Sequence, residues 1–173
     1  MGSNPSWFVG YADSPSRPVE QAPWNTIQVF LSQNGLRLPT EAEWEYAYRA
    51  GTTTAFHSMP GYPSGTNADS QLTNIAWYSS NSGSQSHAVA NKTANALGLY
   101  DISGNVYEWC QDWVGVYPSG GVTNPMGPST GTNRLARGGG FNGSSNWSRA
   151  STRTWGTPTG VFYNAGFRVA RSP

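Results

Sequence analysis

The sequence predicts an α+β fold with two helices, a few short antiparallel strands and much irregular loop. Three observations carry that expectation: an apolar stripe at helical spacing after Pro23, a helix-capping signature at Thr40, and 21 Gly and 12 Pro among 173 residues. Glycine and proline at that density suit a chain that turns often. Eight Trp, nine Tyr and six Phe supply the apolar area that an ordered, loop-rich body needs.

The first helix is expected over Pro23 to Gln33, with Trp24, Ile27, Phe30 and Leu31 on one face and Gly35 ending it in the left-handed conformation. The second starts at Thr40-Glu41-Ala42-Glu43, a capping box in which the threonine oxygen caps the helix and Glu43 reaches back. Acids fill its first turn, Arg49 lies in its last and Gly51 closes it, in agreement with the helix dipole. Trp44, Ala47 and Tyr48 form its buried stripe. From Gly51 to Asn95 the chain reads as ordered loop, with Phe56, Tyr62, Trp77 and Tyr78 able to pin it to a core. Leu99 to Trp113 reads as strand with a turn at Ser103-Gly104-Asn105; Tyr117 to Arg134 is loop; Arg137 to Phe141 and Ala165 to Val169 read as closing strands.

Bulk composition excludes little beyond extremes. A chain of this length suits one domain, here 1–173. A net charge of +1 gives no overall field for nucleic acid or an anionic membrane, and no apolar run approaches the ~20 residues of a membrane span. The Met1-Gly2-Ser3 start lacks the features of a signal peptide and reads as a cloning remnant. Cys110, the one cysteine, cannot close an internal disulfide and reads as a small buried apolar residue. Every Asp and Glu lies at or before Asp112, whereas Arg134, Arg137, Arg149, Arg153, Arg168 and Arg171 follow it. These arginines either form an anion-binding surface or, the preferred reading, reach back to Glu41, Glu43, Glu108 or Asp112.

Leu36-Arg37-Leu38-Pro39-Thr40-Glu41-Ala42-Glu43-Trp44-Glu45-Tyr46-Ala47 is one of three recognisable segments. The others are Asn95-Ala96-Leu97-Gly98-Leu99-Tyr100-Asp101-Ile102-Ser103-Gly104-Asn105-Val106-Tyr107-Glu108-Trp109, and Arg137-Gly138-Gly139-Gly140 with Gly166-Phe167-Arg168-Val169. Their residues, order and spacing resemble the formylglycine-generating-enzyme, or sulfatase-modifying-factor, family. The resemblance implies that family's variant of the C-type lectin fold. The family usually begins with a further strand and helix ahead of Asn4-Pro5-Ser6-Trp7-Phe8; their absence would deprive the strand Phe167-Arg168-Val169 of a neighbour that a partner could replace.

The departures bear on function. The family's enzymes use a pair of cysteines just after the Gly-Gly strand to hold copper and activate oxygen. Here that stretch is Phe141-Asn142-Gly143-Ser144-Ser145-Asn146-Trp147-Ser148-Arg149, without a cysteine. Thiolate is the soft ligand Cu(I) requires, and Ser or Asn does not replace it, so no copper is expected. The related sulfoxide synthases use a histidine metal site, and His57 and His87 match no such pattern. What remains resembles a third branch, the variable proteins of diversity-generating retroelements. In that branch the diversified segment lies between the Gly-Gly strand and the final Gly-Phe-Arg, here 138–168. Randomised adenines in Asn codons reach Asn, Ser, Gly, Thr, Tyr, Phe and Val, but not Lys, Glu, Gln, Met or Trp. Between Asn142 and Asn164 there is no Lys, Glu, Gln or Met; Trp147 and Trp155 would have to be fixed in the template.

The resemblance therefore implies a non-catalytic protein with a display surface. The expected ligand-binding residues are Phe141, Asn142, Ser144, Ser145, Asn146, Thr152, Trp155, Thr157, Thr159, Val161, Phe162 and Tyr163. Aromatic anchors among Ser, Asn and Gly resemble an antibody paratope. The ligand is expected to be a protein or surface component, with no nucleic acid and no membrane insertion, on a body that could oligomerise and be surface- or virion-associated. The alternatives are a catalytically dead binding module of another kind and an uncharacterised oxidase, which would need ionisable groups clustered in one cleft. Asn105 and Glu108 match a family segment that binds calcium, which would be a structural ion here; the competing reading pairs Glu108 with a buried arginine. Gly138-x-Gly140-x-x-Gly143 has the spacing of a dinucleotide fingerprint, but no helix pattern follows it and no acid lies ~20 residues on. Arg149 and Arg153 are expected to serve the scaffold rather than the ligand.

Overall fold

The capping box at Thr40 forms as its residues dictate: Thr40 Oγ1 accepts from the Glu43 amide, and the Glu43 carboxylate accepts from the Thr40 amide. These bonds satisfy amide donors that a helix start otherwise leaves unpaired. In the computed structural model, which describes residues 4–172, this helix is α2, Glu41–Arg49, and α1 precedes it as Trp24–Gln33. The Met1-Gly2-Ser3 start, expected to be a cloning remnant, lies outside the described residues. α1 ends where Gly35 takes a φ of 62° and the Leu36 amide returns to Leu31 O. α2 ends one residue earlier than expected, at a left-handed Ala50. No helix among the described residues is long and apolar enough to cross a membrane.

Four strands form one sheet in the order β3-β2-β1-β4, with β1 Tyr107–Trp113, β2 Arg134–Arg137, β3 Thr154–Gly156 and β4 Ala165–Phe167. Successive residues of a strand face opposite sides, so this sheet packs on both. Trp109 and Ala136 meet Trp24, Ile27 and Leu31 of α1 on one face. Cys110 and Leu135 meet Trp44 and Tyr48 of α2 on the other. The buried Cys110 is thus the small core residue its sequence context implied.

The expectation of antiparallel strands throughout is corrected: β1–β2 and β2–β3 are antiparallel, but β4 runs parallel to β1, with Trp109 opposite Phe167. Leu99 to Ser103 is not strand, and β1 begins only at Tyr107. β2 is Arg134–Arg137 rather than Arg137–Phe141, because Gly138 and Gly139 take φ of 95° and 81°. Two consecutive left-handed residues cannot continue a strand. A Cβ on Gly139 would lie 2.9 Å from the Ser148 backbone. The glycine pair therefore turns the chain sharply out of the sheet at the start of the 138–168 segment. In the long loop, Phe56 and Tyr78 join a separate core cluster. Trp77 is instead clamped between a stacked His87 ring and Lys92, and Tyr62 is exposed.

Candidate functional site

Six arginines follow the last acid, and most turn inward. Arg153 grips Glu41 in a two-pronged pair, Nε to Oε1 at 2.7 Å and Nη2 to Oε2 at 2.9 Å. Arg137, fully buried, reaches Glu41 and Glu45 and donates to the carbonyls of Ala150 and Thr152. Arg168 pairs with Glu108. Arg134 lies between the rings of Trp24 and Trp113 and donates to Gln111 O. Arg149 pairs with Asp69 at 2.6 Å, but this pair is open to solvent. Glu43 is taken by Arg37 rather than by a late arginine, and Asp112 accepts from the Glu41 amide. Arg137, Arg149, Arg153 and Arg168 thus pair with acids of the fold, as the preferred reading expects, and Arg134 is held by indole rings and a carbonyl.

Those pairs anchor the ends and middle of the 138–168 segment to α2 and β1, and many of its other side chains point outward. Asn142, Ser144, Asn146, Trp155, Thr157, Thr159, Val161 and Tyr163 are exposed. Ser145 and Thr152 are half-buried, with Ser145 Oγ on Asp69 and Thr152 Oγ1 on Asn146 O. A polar relay joins the two ends of the segment: Asn164 Nδ2 donates to Asn142 Oδ1, and Asn142 Nδ2 donates to the Tyr163 hydroxyl. Asn142 to Trp147, Thr152 and Tyr163 thus form one connected group. Trp155, Thr157, Thr159 and Val161 lie on β3 and the turn beyond it, pinned by Asn25 N to Pro158 O and Gln21 N to Phe162 O.

Two expected ligand contacts are corrected. Phe141 is 1% exposed and packs between Phe8 and Tyr163 in a core cluster with Val106, so it supports the face from beneath. Phe162 turns inward against Trp109, into space left by Gly156 and Gly160, whose added Cβ atoms would stand 2.7 and 2.4 Å from its ring. Val161 and Tyr163, its neighbours, point outward.

Asn105 and Glu108 are also held by the protein. Asn105 exchanges hydrogen bonds with the His87 backbone, and Glu108 accepts from Trp44 Nε1 and from Arg168. All three side-chain oxygens have partners within the protein, and Glu108 makes the ion pair with an arginine that the competing reading expects. Sequence reasoning missed the exposed Trp147 and also Tyr107. The half-buried Tyr107 ring underlies Gly140, its hydroxyl lies beside Gly143, and the ring meets Trp147 edge-on, 6.5 Å between centroids. Burial pushes the Tyr107 phenol up to about 12, so the hydroxyl keeps its proton at neutral pH. Burial likewise raises the Cys110 thiol, the one cysteine of the chain.

Known proteins resemble this chain in sequence and fold. The formylglycine-generating enzyme of Thermomonospora curvata is 36% identical over 93% of this chain, and that of Streptomyces coelicolor is 32% identical over 90%. The chain spans 57% and 53% of the lengths of those two enzymes. Among solved structures, Treponema denticola variable protein 1 matches with a TM-score of 0.89 and 32% identity, over 100% of this chain and 79% of that one. The chain belongs to the sulfatase-modifying factor enzyme 1-like domain family, whose profile matches residues 2–173.

Proposed function

We propose that this protein is a non-catalytic display scaffold whose segment 138–168 forms a ligand-binding surface of the kind found in diversity-generating-retroelement variable proteins. The observation that carries the reading is the division of labour within that segment. Phe141, Ser148, Ala150, Arg153 and Phe162 turn inward to the core or to buried acids, while Asn142, Ser144, Asn146, Trp147, Trp155, Thr157, Thr159, Val161 and Tyr163 face solvent. Exposed Trp147, Trp155, Val161 and Tyr163 provide large rigid contact area at low entropic cost, and the amides and hydroxyls adapt around them. Large apolar side chains left exposed in this number favour a partner. The likeness to Treponema denticola variable protein 1 over the whole chain supports the same reading.

The family's enzymatic members argue for a test of catalysis. Where their reactive cysteines belong, this chain has Ser, Asn and Trp; its one thiol lies in the core and burial keeps it protonated. The purified protein, incubated with a sulfatase-motif peptide with and without copper, should leave the peptide cysteine unchanged in mass. Copper-dependent conversion to formylglycine would overturn the reading.

A further inference from the structure

One side chain at the centre of the proposed face comes from outside segment 138–168. Tyr107 opens β1, and its ring lies against Gly140, where an added Cβ would stand 3.1 Å from two ring carbons and 3.4 Å from Asn142 Oδ1. Its hydroxyl lies 3.3 Å from the position a Gly143 Cβ would take, and the Trp147 Cβ is 3.2 Å from that position. Asn142 and Trp147 therefore wall a notch with the phenol at its base, and the missing side chain of Gly143 keeps the hydroxyl uncovered. That hydroxyl has no hydrogen-bond partner among the described residues, yet it is not sealed from solvent.

A second phenol, Tyr163, lies across Asn142 and is oriented by its neighbours. Asn164 donates to Asn142, and Asn142 donates to the Tyr163 oxygen, so the Tyr163 hydrogen is left to donate outward. The surroundings are neutral: the nearby cation, Arg149, is paired with Asp69 and also donates to Asn146 Oδ1. Two phenolic donors beside an indole, without a free charge, suit a neutral acceptor carried on apolar surface. A charged acceptor would lose hydration there with no cation to compensate.

On the display reading given above, the geometry points to Tyr107 as a fixed, specificity-setting contact of the face, whose hydroxyl donates to a backbone carbonyl of a protein ligand. Segment 138–168 would then vary around a donor supplied by the scaffold. Such a donor biases every version of the surface toward exposed peptide carbonyls.

The test uses the full chain and a defined probe protein, lysozyme. A library randomised at Asn142, Ser144, Asn146, Thr157 and Val161, with Tyr107 and Gly143 kept, is selected for lysozyme binding. Tyr107→Phe is then introduced into each recovered binder. Most binders should weaken about 3- to 10-fold in Kd, the range of one hydrogen bond, with unchanged melting temperature, since the hydroxyl has no internal partner. Gly143→Ala should weaken the same binders, because its methyl stands over the hydroxyl. Binders indifferent to Tyr107→Phe would overturn this inference while leaving the display reading intact. A large fall in melting temperature would overturn it too, by making the hydroxyl structural. A library that folds but yields no binders would bring down the display reading and this inference with it.

Discussion

Truncating Arg153 to alanine should destabilise the protein by about 3 kcal/mol without touching the exposed face. The magnitude follows from what the truncation leaves behind. Glu41 is 6% exposed and receives both arms of the Arg153 guanidinium at 2.7 and 2.9 Å. Removing one partner of a buried pair costs about 3–5 kcal/mol, because the other charge is left without compensation. Here the loss falls near the lower end, since Glu41 keeps the Tyr117 hydroxyl at 3.1 Å and Arg137 Nε at 3.5 Å. For a chain of this size, about 3 kcal/mol lowers the melting temperature by about 6–12 °C. Chemical and thermal denaturation followed by circular dichroism would read both quantities. Glu41→Gln should cost more than Arg153→Ala, because it weakens the pairing of the fully buried Arg137 as well. The double variant should cost less than the sum of the two, as coupled groups do. An Arg153→Ala protein within about 0.5 kcal/mol of wild type would refute the scaffold assignment, and so would one that stays stable and loses only binding.

Other substitutions separate support from surface. Phe141→Ala should cost about 3–5 kcal/mol by emptying a packed site, whereas Trp155→Ala, at a side chain 59% exposed, should stay within about 1 kcal/mol; paired urea melts would show it. Arg149→Ala should cost at most about 1 kcal/mol in the same melts, because its pair with Asp69 is solvent-exposed. Gly139→Ala should lower the melting temperature markedly, since an alanine there has a φ of 81° and its Cβ meets the Ser148 backbone at 2.9 Å. Asp101 has its carboxyl raised by burial, so the folded chain holds that proton more tightly than the unfolded one. Its contribution to stability is therefore present below the ordinary value of 3.8 and is lost as pH rises through the raised folded value; Asp101→Asn should flatten the stability profile over that window.

Much of the scaffold is legible in the sequence because its signals are local. The α2 capping box, the Gly35 stop and the buried stripe of Trp44 and Tyr48 each depend on residues within two helical turns. The pairing of late arginines with early acids could be anticipated from charge placement alone, though Glu43 went to nearby Arg37. The parallel pairing of β4 with β1 could not, because strand direction depends on contacts about 60 residues apart. β3, three residues long, is too short to show alternation. At the candidate site, Asn142, Ser144 and Asn146 are exposed as composition suggested, whereas Phe141 and Phe162 are not. An aromatic side chain in a polar segment can anchor a ligand or the segment itself, and here only the partners decide: Phe8 for the one, Trp109 for the other. Tyr107 was hidden for a related reason, since a tyrosine at the start of a strand carries no mark of what its hydroxyl faces.

The separation of scaffold from surface is the central claim, and an unselected library tests it most directly. Asn142, Ser144, Asn146, Trp155, Thr157, Thr159, Val161 and Tyr163 are randomised together, and individual members are purified and melted. Because these side chains are exposed, most members should unfold cooperatively, within about 10 °C of the parent, since surface changes are usually worth about 0.5 kcal/mol or less each. A library in which most members fail to fold would make the segment structural and contradict the account.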